Sequence, residues 1–346
     1  MSMTELETMS QTAQFDAIKT EVDEAFERHI SRVGRNTISL DPYALVPLDD
    51  YDSLRSGYED HVSHWDSNNI DIRPVIRATL LVDAATEENL PWYTSHIEAG
   101  FESWHEWNGR WTAEERSHGE IMLRDIEARG ILDMSKEWLP IREQNMASGI
   151  HPKVTSLADG VAYVATQELL TKDAHFQSAR LMDAPGSKTL RAIGSDEGRH
   201  YQFYMSALKA LSKVVPDTVL VAMRHQHEND SFAMPGQKGI NGYSGLARTI
   251  ALSGVFDALT ILEAQKKTID EAGLLDSAPV TDEGKKAQEW AHALSAKEDI
   301  TWQRKRKLME ITRQRAFSSI GSSSLRPFIL GYSVEIKNNS FVPIAE

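Results

Sequence analysis

The sequence contains no cysteine. Disulfides, thiolate metal sites and cysteine nucleophiles are therefore excluded, and any metal must be held by oxygen and nitrogen. Positive charge is also scarce. The chain sets 37 Lys and Arg against 51 Asp and Glu, for a formal net charge of −14 and a pI of about 5.4. That balance argues against nucleic-acid backbone binding as the main business of the surface. No apolar run approaches the ~18 residues of a membrane span, and the acidic N-terminus lacks the features of a signal or transit peptide. The expectation is a cytoplasmic chain with no membrane span. No convincing strand run is present either, so the predicted fold is all-α.

What the chain has in quantity is helical periodicity. Phe15, Ile18, Val22, Phe26 and Ile30 predict a helix over 3–32, and Pro42, Pro47 and several Asp make 34–50 an irregular crossing. A short helix over 51–65 follows. Ile76, Leu80, Ala84 and Glu87 share one stripe of a helix predicted over 72–101, in which Pro91 would leave the Glu87 carbonyl without its usual partner. Trp104, Trp107 and Trp111 read as core and lead into a helix that stops near Gly130. A broken helical connection fills 131–154. Further helices are expected at 155–180, 187–213, after Pro216, and at 243–272 and 282–314, with a loop at 234–242. The size of the chain would allow two domains, yet the pattern reads as one, 1–315, followed by a loosely patterned tail, 316–346.

Chemistry is concentrated in two stretches, Trp111-Thr-Ala-Glu-Glu-Arg-Ser-His-Gly119 and Ile193-Gly-Ser-Asp-Glu-Gly-Arg-His200. Each places a Glu three residues before a His (Glu115 and His118, Glu197 and His200), which on a helix puts both side chains on one face. The spacing alone is weak, because Glu102/His105 and Glu289/His292 share it. Company separates them. Glu87 lies 28 residues before Glu115 and Glu168 lies 29 before Glu197, whereas neither other pair has such a partner. A Glu followed by Glu-x-x-His, twice, is what a di-metal carboxylate bundle requires: one Glu from each of two helices and a Glu-x-x-His from each of the other two. His225 and His227, two apart in a polar stretch, read instead as solvated surface.

These motifs, with Thr86-Glu-Glu-Asn-Leu-Pro91, Gln167-Glu-Leu-Leu-Thr171, Met234-Pro235 and Glu283-Gly-Lys-Lys-Ala-Gln288 in the same order, resemble the soluble acyl-acyl-carrier-protein desaturases over about 70–310. The resemblance implies a ferritin-like bundle with a central four-helix di-metal core and flanking helices. It implies that Glu87, Glu115, His118, Glu168, Glu197 and His200 hold two irons, with Glu115 and Glu197 as bridges. It further implies O2 as co-substrate and removal of two hydrogens from adjacent carbons of an acyl chain on acyl carrier protein, giving a cis double bond. A ferredoxin-like electron donor and a homodimer come with the family.

Thr171 matches a family threonine beside the oxygen-binding face, although a hydroxyl bonded back to its own helix is an equal reading. Asp196, adjacent to Glu197, is the candidate partner for His118. One departure stands out. Where the family places a tryptophan thought to carry electrons inward, the segment Ile38-Ser-Leu-Asp-Pro-Tyr-Ala-Leu-Val-Pro47 puts Leu40. Arg199 and the run Arg304-Lys-Arg-Lys307 are the basic candidates for docking an acidic carrier, a solvated helix face being the commoner meaning of such a run. Two other functions share the ligand pattern: a di-iron oxygenase or hydroxylase acting on a carrier-bound or small substrate, and a ferritin-like iron-binding protein. The same ligands accept manganese.

Overall fold

The apolar stripe near the N-terminus forms α1 (Met3–Val33), on which Ile18, Val22, Phe26 and Ile30 are buried. The computed structural model describes residues 3–35, 37–67, 72–89, 102–148, 154–228, 240–296, 300, 302–304, 307, 311, 334–337 and 340–343. After α1 the crossing segment holds only a four-residue helix, α2 (Pro42–Leu45), and one 3-10 turn (Leu48–Asp50). Pro42 opens α2, and the Asp41 carboxylate accepts from the Tyr43 N–H at 2.9 Å, satisfying one of the free donors of a helix start. Then come α3 (Tyr51–Ser67) and α4 (Arg73–Glu87).

Helix α4 is shorter than the sequence predicts. It stops at Glu87, four residues before Pro91, and Glu88 and Asn89 form a turn. Pro91 itself lies outside the described residues. A proline there has no N–H to offer the Glu87 carbonyl, so the helix gains nothing by continuing. α5 (Glu102–Arg129) ends on Gly130, whose φ of 69° is the left-handed stop the sequence predicts. The expected broken connection is a π turn (Met134–Trp138) capped by Asp133, then α6 (Leu139–Ser148). α7 (Leu157–Ser178) and α8 (Ala184–Val214) are the most extensively packed pair among the described residues. Ser156 and Asp183 cap them, and the short turn between them makes them antiparallel.

α9 (Pro216–His227) follows. The segment expected as one helix over 243–272 is two, α10 (Tyr243–Ser253) and α11 (Ala258–Glu271). Gly254, at φ 78°, ends the first, and Asp257 starts the second through a reciprocal capping box with Thr260. α12 (Asp282–Ser295) ends earlier than predicted, and described positions turn helical again from 300.

The body is all-α, as expected. The one strand pairing among the described residues is a small antiparallel hairpin in the tail, β1 (Val334–Lys337) with β2 (Ser340–Pro343), which pairs Glu335 with Val342. The signal was present as Val-Glu-Ile-Lys alternation followed by Asn338-Asn339, and it is short enough to be passed over. The expected boundary at 315–316 falls outside the described residues. Among those residues no single helix is long and apolar enough to cross a membrane.

Two apolar clusters fill the bundle. One gathers α1, the three tryptophans of α5, most of α7, the later half of α8, and α9, α11 and α12. The other gathers α3, α4, the later half of α5, the start of α8, and residues of α10. Along α5, Trp104, Trp107 and Trp111 belong to the first and Ile121, Met122 and Ile126 to the second. Along α8 the order is reversed: Leu190 and Ile193 lie in the second and Tyr201 to Leu211 in the first. A polar layer therefore crosses the bundle where the helices pass from one cluster to the other, at Glu114–His118 on α5 and Asp196–His200 on α8. Phe256 packs against both clusters at its edge.

Candidate metal centre

The six residues singled out by spacing come together in that layer. Glu87 is the last residue of α4, Glu115 and His118 project from α5, Glu168 from α7, and Glu197 and His200 from α8. None is more than 4 % exposed. They form two overlapping groups, Glu87, Glu115, His118 and Glu197, and Glu115, Glu168, Glu197 and His200, each with its ligand atoms within 4.8 Å of one another. Glu115 and Glu197 belong to both. The pairs Glu102/His105 and Glu289/His292, which share only the spacing, sit on exposed faces.

His118 Nδ1 donates to Glu197 Oε1 at 3.0 Å, but several of the other donor atoms face the shared space unmatched. His200 Nδ1 lies 2.7 Å from Glu115 Oε1, yet neither atom makes a hydrogen bond of acceptable geometry. Both carboxylate oxygens of Glu168 and Oε2 of Glu197 also lack a hydrogen-bond partner among the described residues. Buried carboxylate oxygens left unmatched are costly. A cation at each group would satisfy them, and hard oxygen donors with one imidazole per position suit iron. The residues present therefore fit a pair of metal ions.

The electrostatics point the same way. Burial, reinforced by the charges of Glu115 and Glu197, pushes both Glu87 and Glu168 well above the usual carboxylate range. Burial also acts on Glu115 and Glu197, but bonds and charge from His118 and His200 outweigh it and hold both low. The imidazoles respond in kind. Burial alone would depress them, yet Glu197 around His118 and Glu114 with Glu115 around His200 raise both well above the ordinary value. Burial thus pushes the outer carboxyls, Glu87 and Glu168, toward the protonated form, while the imidazoles favour the charged form of the shared pair, Glu115 and Glu197.

Each imidazole turns Nδ1 toward this space and Nε2 outward. His118 Nε2 donates to Asp196 Oδ2 at 3.0 Å, the contact expected from sequence, and Asp196 also takes bonds from the Ser39 hydroxyl and the Arg199 guanidinium. His200 Nε2 donates to Glu114 Oε2 at 3.0 Å. Glu114 was missed, although the repeat contained it: an acid immediately precedes the Glu-x-x-His in both halves. The bonds to His200 and His29 outweigh burial and hold the Glu114 carboxyl below its ordinary range. His29 and His175 were also missed, since each is a single position with no repeat to mark it. His175 Nε2 lies 3.4 Å from Glu87 Oε1, and burial pushes this imidazole down to about 4.

The Thr171 hydroxyl bonds back to the carbonyls of Gln167 and Glu168, both at 3.2 Å, while the residue also lines an apolar pocket beside Glu87. That pocket runs from Glu87 and Thr171 past Val82 to Ile250, Val255 and Phe256. At the position of the family tryptophan, the Leu40 carbonyl accepts from Ser117 at 2.7 Å. The surface reading of His225 and His227 needs correction. His225 is part exposed against Asp159, but His227 is 5 % exposed, with Thr166 at 3.2 Å and Gln265 at 3.3 Å. Its spacing from Val219 and Met223 places it on the buried stripe of α9. Arg304 and Lys307 are exposed, and the two residues between them lie outside the described set.

Comparison with known proteins places the chain in a family. The sequence matches the model of the fatty acid desaturase family over residues 11–320. DesA1 of Mycobacterium tuberculosis, assigned as an acyl-[acyl-carrier-protein] desaturase, is 30 % identical over 251 residues, 68 % of this chain and 72 % of that one. The chloroplastic palmitoyl-[acyl-carrier-protein] 4-desaturase of Coriandrum sativum is 27 % identical over 320 residues, 82 % of this chain and 80 % of that one. The chloroplastic stearoyl-[acyl-carrier-protein] 9-desaturase of Gossypium hirsutum is 26 % identical over 309 residues, 83 % of this chain and 74 % of that one. In fold, the chain is similar to the crystal structure of DesA2 of Mycobacterium tuberculosis, with a TM-score of 0.55 at 17 % identity, covering 80 % of this chain and 99 % of that one. A family match across most of the chain, together with a buried carboxylate and imidazole layer of this kind, makes the protein an oxidoreductase of the acyl-acyl-carrier-protein desaturase family.

Proposed function

We propose that the protein is a di-iron, O2-dependent desaturase that introduces a cis double bond into an acyl chain carried on acyl carrier protein. The observation that carries the reading is the pair of four-residue groups sharing Glu115 and Glu197 beside an apolar pocket. In it, Glu87 and His118 would hold one metal and Glu168 and His200 the other, with Glu115 and Glu197 within reach of both. When bound, two irons supply the capacity to reduce O2 to water with two electrons from a donor and two from adjacent C–H bonds of the substrate.

The chain's own residues do the positioning. Asp196 and Glu114 accept the Nε2 protons of His118 and His200 and so leave each Nδ1 lone pair for a metal. Thr171 and Glu87 stand where the pocket meets the centre, so an acyl chain lying along Val82, Ile250 and Phe256 presents its methylenes there. The same apolar wall keeps water from the reacting carbons. Asp196 and Thr171 are the proposed participants beyond the six ligands. An acidic carrier protein, a ferredoxin-like donor, a homodimer and a cytoplasmic location complete the reading by family resemblance.

The test is to load the protein with iron, supply reductant, O2 and acyl carrier proteins bearing chains of several lengths, and weigh the products. Loss of two hydrogens from the chain is expected. Gain of one oxygen atom would make the protein a hydroxylase, and iron oxidation with no organic product would make it an iron-binding protein.

A further inference from the structure

The two histidines of the centre differ once their outer partners are followed a further step. Asp196, on the His118 side, is held by an alcohol and a guanidinium, Ser39 and Arg199. Glu114, on the His200 side, is held by a third imidazole. His29 Nε2 lies 3.2 Å from Glu114 Oε1 and 3.1 Å from Oε2, and because a carboxylate only accepts, the ring N–H donates. Arg110, one turn back on α5, stands 3.8 Å from Glu114 and adds charge at longer range. His29 comes from α1, which contributes none of the six central residues.

The ring of His29 is also fixed on its sides. It meets Trp107 edge to face, centroids 5.1 Å apart and planes at 89°, and lies 6.3 Å from the His200 ring. Trp107 in turn stands edge-on to His200 at 5.9 Å. A buried histidine in such a wall is ordinarily just a satisfied core residue. One observation says otherwise here. His29 Nδ1 has no hydrogen-bond partner among the described residues, so the ring carries an unmatched buried atom that costs stability. An apolar ring would fill the same place against Trp107 without that cost. What it could not do is hold Glu114, the one carboxylate that fixes the proton of His200.

We propose that His29 is a positioning residue for the metal position at His200: it pins Glu114 against His200 Nε2 and makes that position chemically distinct from the one at His118. The proposal rests on the metal-centre reading above. Asp196 is bonded directly to a guanidinium, whereas Glu114 is bonded directly to an imidazole with Arg110 farther off, so the two positions differ in their outer partners.

The test is equilibrium binding of Co2+, without O2, to the full chain, followed by calorimetry and by the visible absorbance of the bound ion. Glu87→Ala leaves only the His200 position intact, and Glu168→Ala leaves only the His118 position. In the Glu87→Ala background, His29→Leu should weaken Co2+ about tenfold. In the Glu168→Ala background it should change binding less than twofold, and Ser39→Ala should show the reverse pattern. His29→Gln, whose amide N–H can still donate to Glu114, should recover most of the loss. If His29→Leu does not fold, His29→Phe, which keeps the edge against Trp107, replaces it. Equal weakening in both backgrounds, no weakening in either, or no recovery with Gln would overturn the proposal. An unsubstituted chain that binds fewer than two Co2+ ions would overturn the metal-centre reading and this proposal with it.

Discussion

Gly119 of α5 packs so close to Glu87 of α4 that a Cβ at 119 would stand 3.3 Å from the Glu87 Cβ. Glycine here is a matter of space between helices. Gly119→Ala should gain about 1 kcal/mol of helix propensity and lose about 1–3 kcal/mol to overpacking, so the melting temperature should move little. A contact this tight makes Glu87 give by a few tenths of an ångström. Metal titration should show the ion on the His118 side bound more weakly than in the parent chain and the ion on the His200 side unchanged. Weakening confined to the His200 side would overturn the assignment of Glu87.

Glu115 belongs to both four-residue groups, so its loss reaches both positions at once. Glu115→Ala should leave a folded, helical chain with metal content about tenfold lower or less. Normal iron content by elemental analysis would refute the assignment. Glu289→Ala, on the exposed face of α12, should leave metal content unchanged and serves as the control for spacing without company.

Metal loading should release protons. The groups Glu87, Glu168, His118 and His200 are all raised well above their ordinary values in the metal-free centre, whereas Glu115 and Glu197 are held low. Two divalent cations therefore displace protons chiefly from the first four. Calorimetry in buffers of different ionisation enthalpy should show net proton release on metal binding near neutral pH, and affinity should rise with pH. Release of none would mean that the buried carboxyls are already ionised.

His227 predicts a second pH effect, on stability. Burial lowers this imidazole from 6.5 to about 3, so the folded chain keeps it neutral while the unfolded chain protonates it near 6.5. Its contribution is fully present above pH 6.5 and is lost as pH falls from 6.5 toward 3. The difference in unfolding free energy between the protein and His227→Gln should change across that window by on the order of a few kcal/mol and be flat above it. A flat difference throughout would place the ring in solvent.

The buried layer of carboxylates and imidazoles was legible because its six residues obey two nested periods, three along a helix and about thirty between helices. Asp196 was legible by adjacency to one ligand, and the same rule applied to the other half would have named Glu114. His29 and His175 had no such marker. They reach the layer because α1 and α7 pass beside it, which is a fact of packing that no local pattern in the chain encodes. Helix ends failed where a terminator lay inside a periodic run. Gly254 and Asp257 break the stretch 243–272, whose apolar pattern continues across the gap, and α4 stops short of Pro91. His227 failed because polar neighbours in sequence say little about which face of α9 a residue occupies.

The polar layer between the two apolar clusters has a mechanical consequence. Three helices cross it and α4 ends in it, so at that level the bundle is fastened largely by charge. A pair of cations there would act as a rivet through the waist of the molecule. Proteolysis or hydrogen exchange should then find the stretches around Glu115 and Glu197 loosened when the ions are stripped, while the oily ends on either side stay closed.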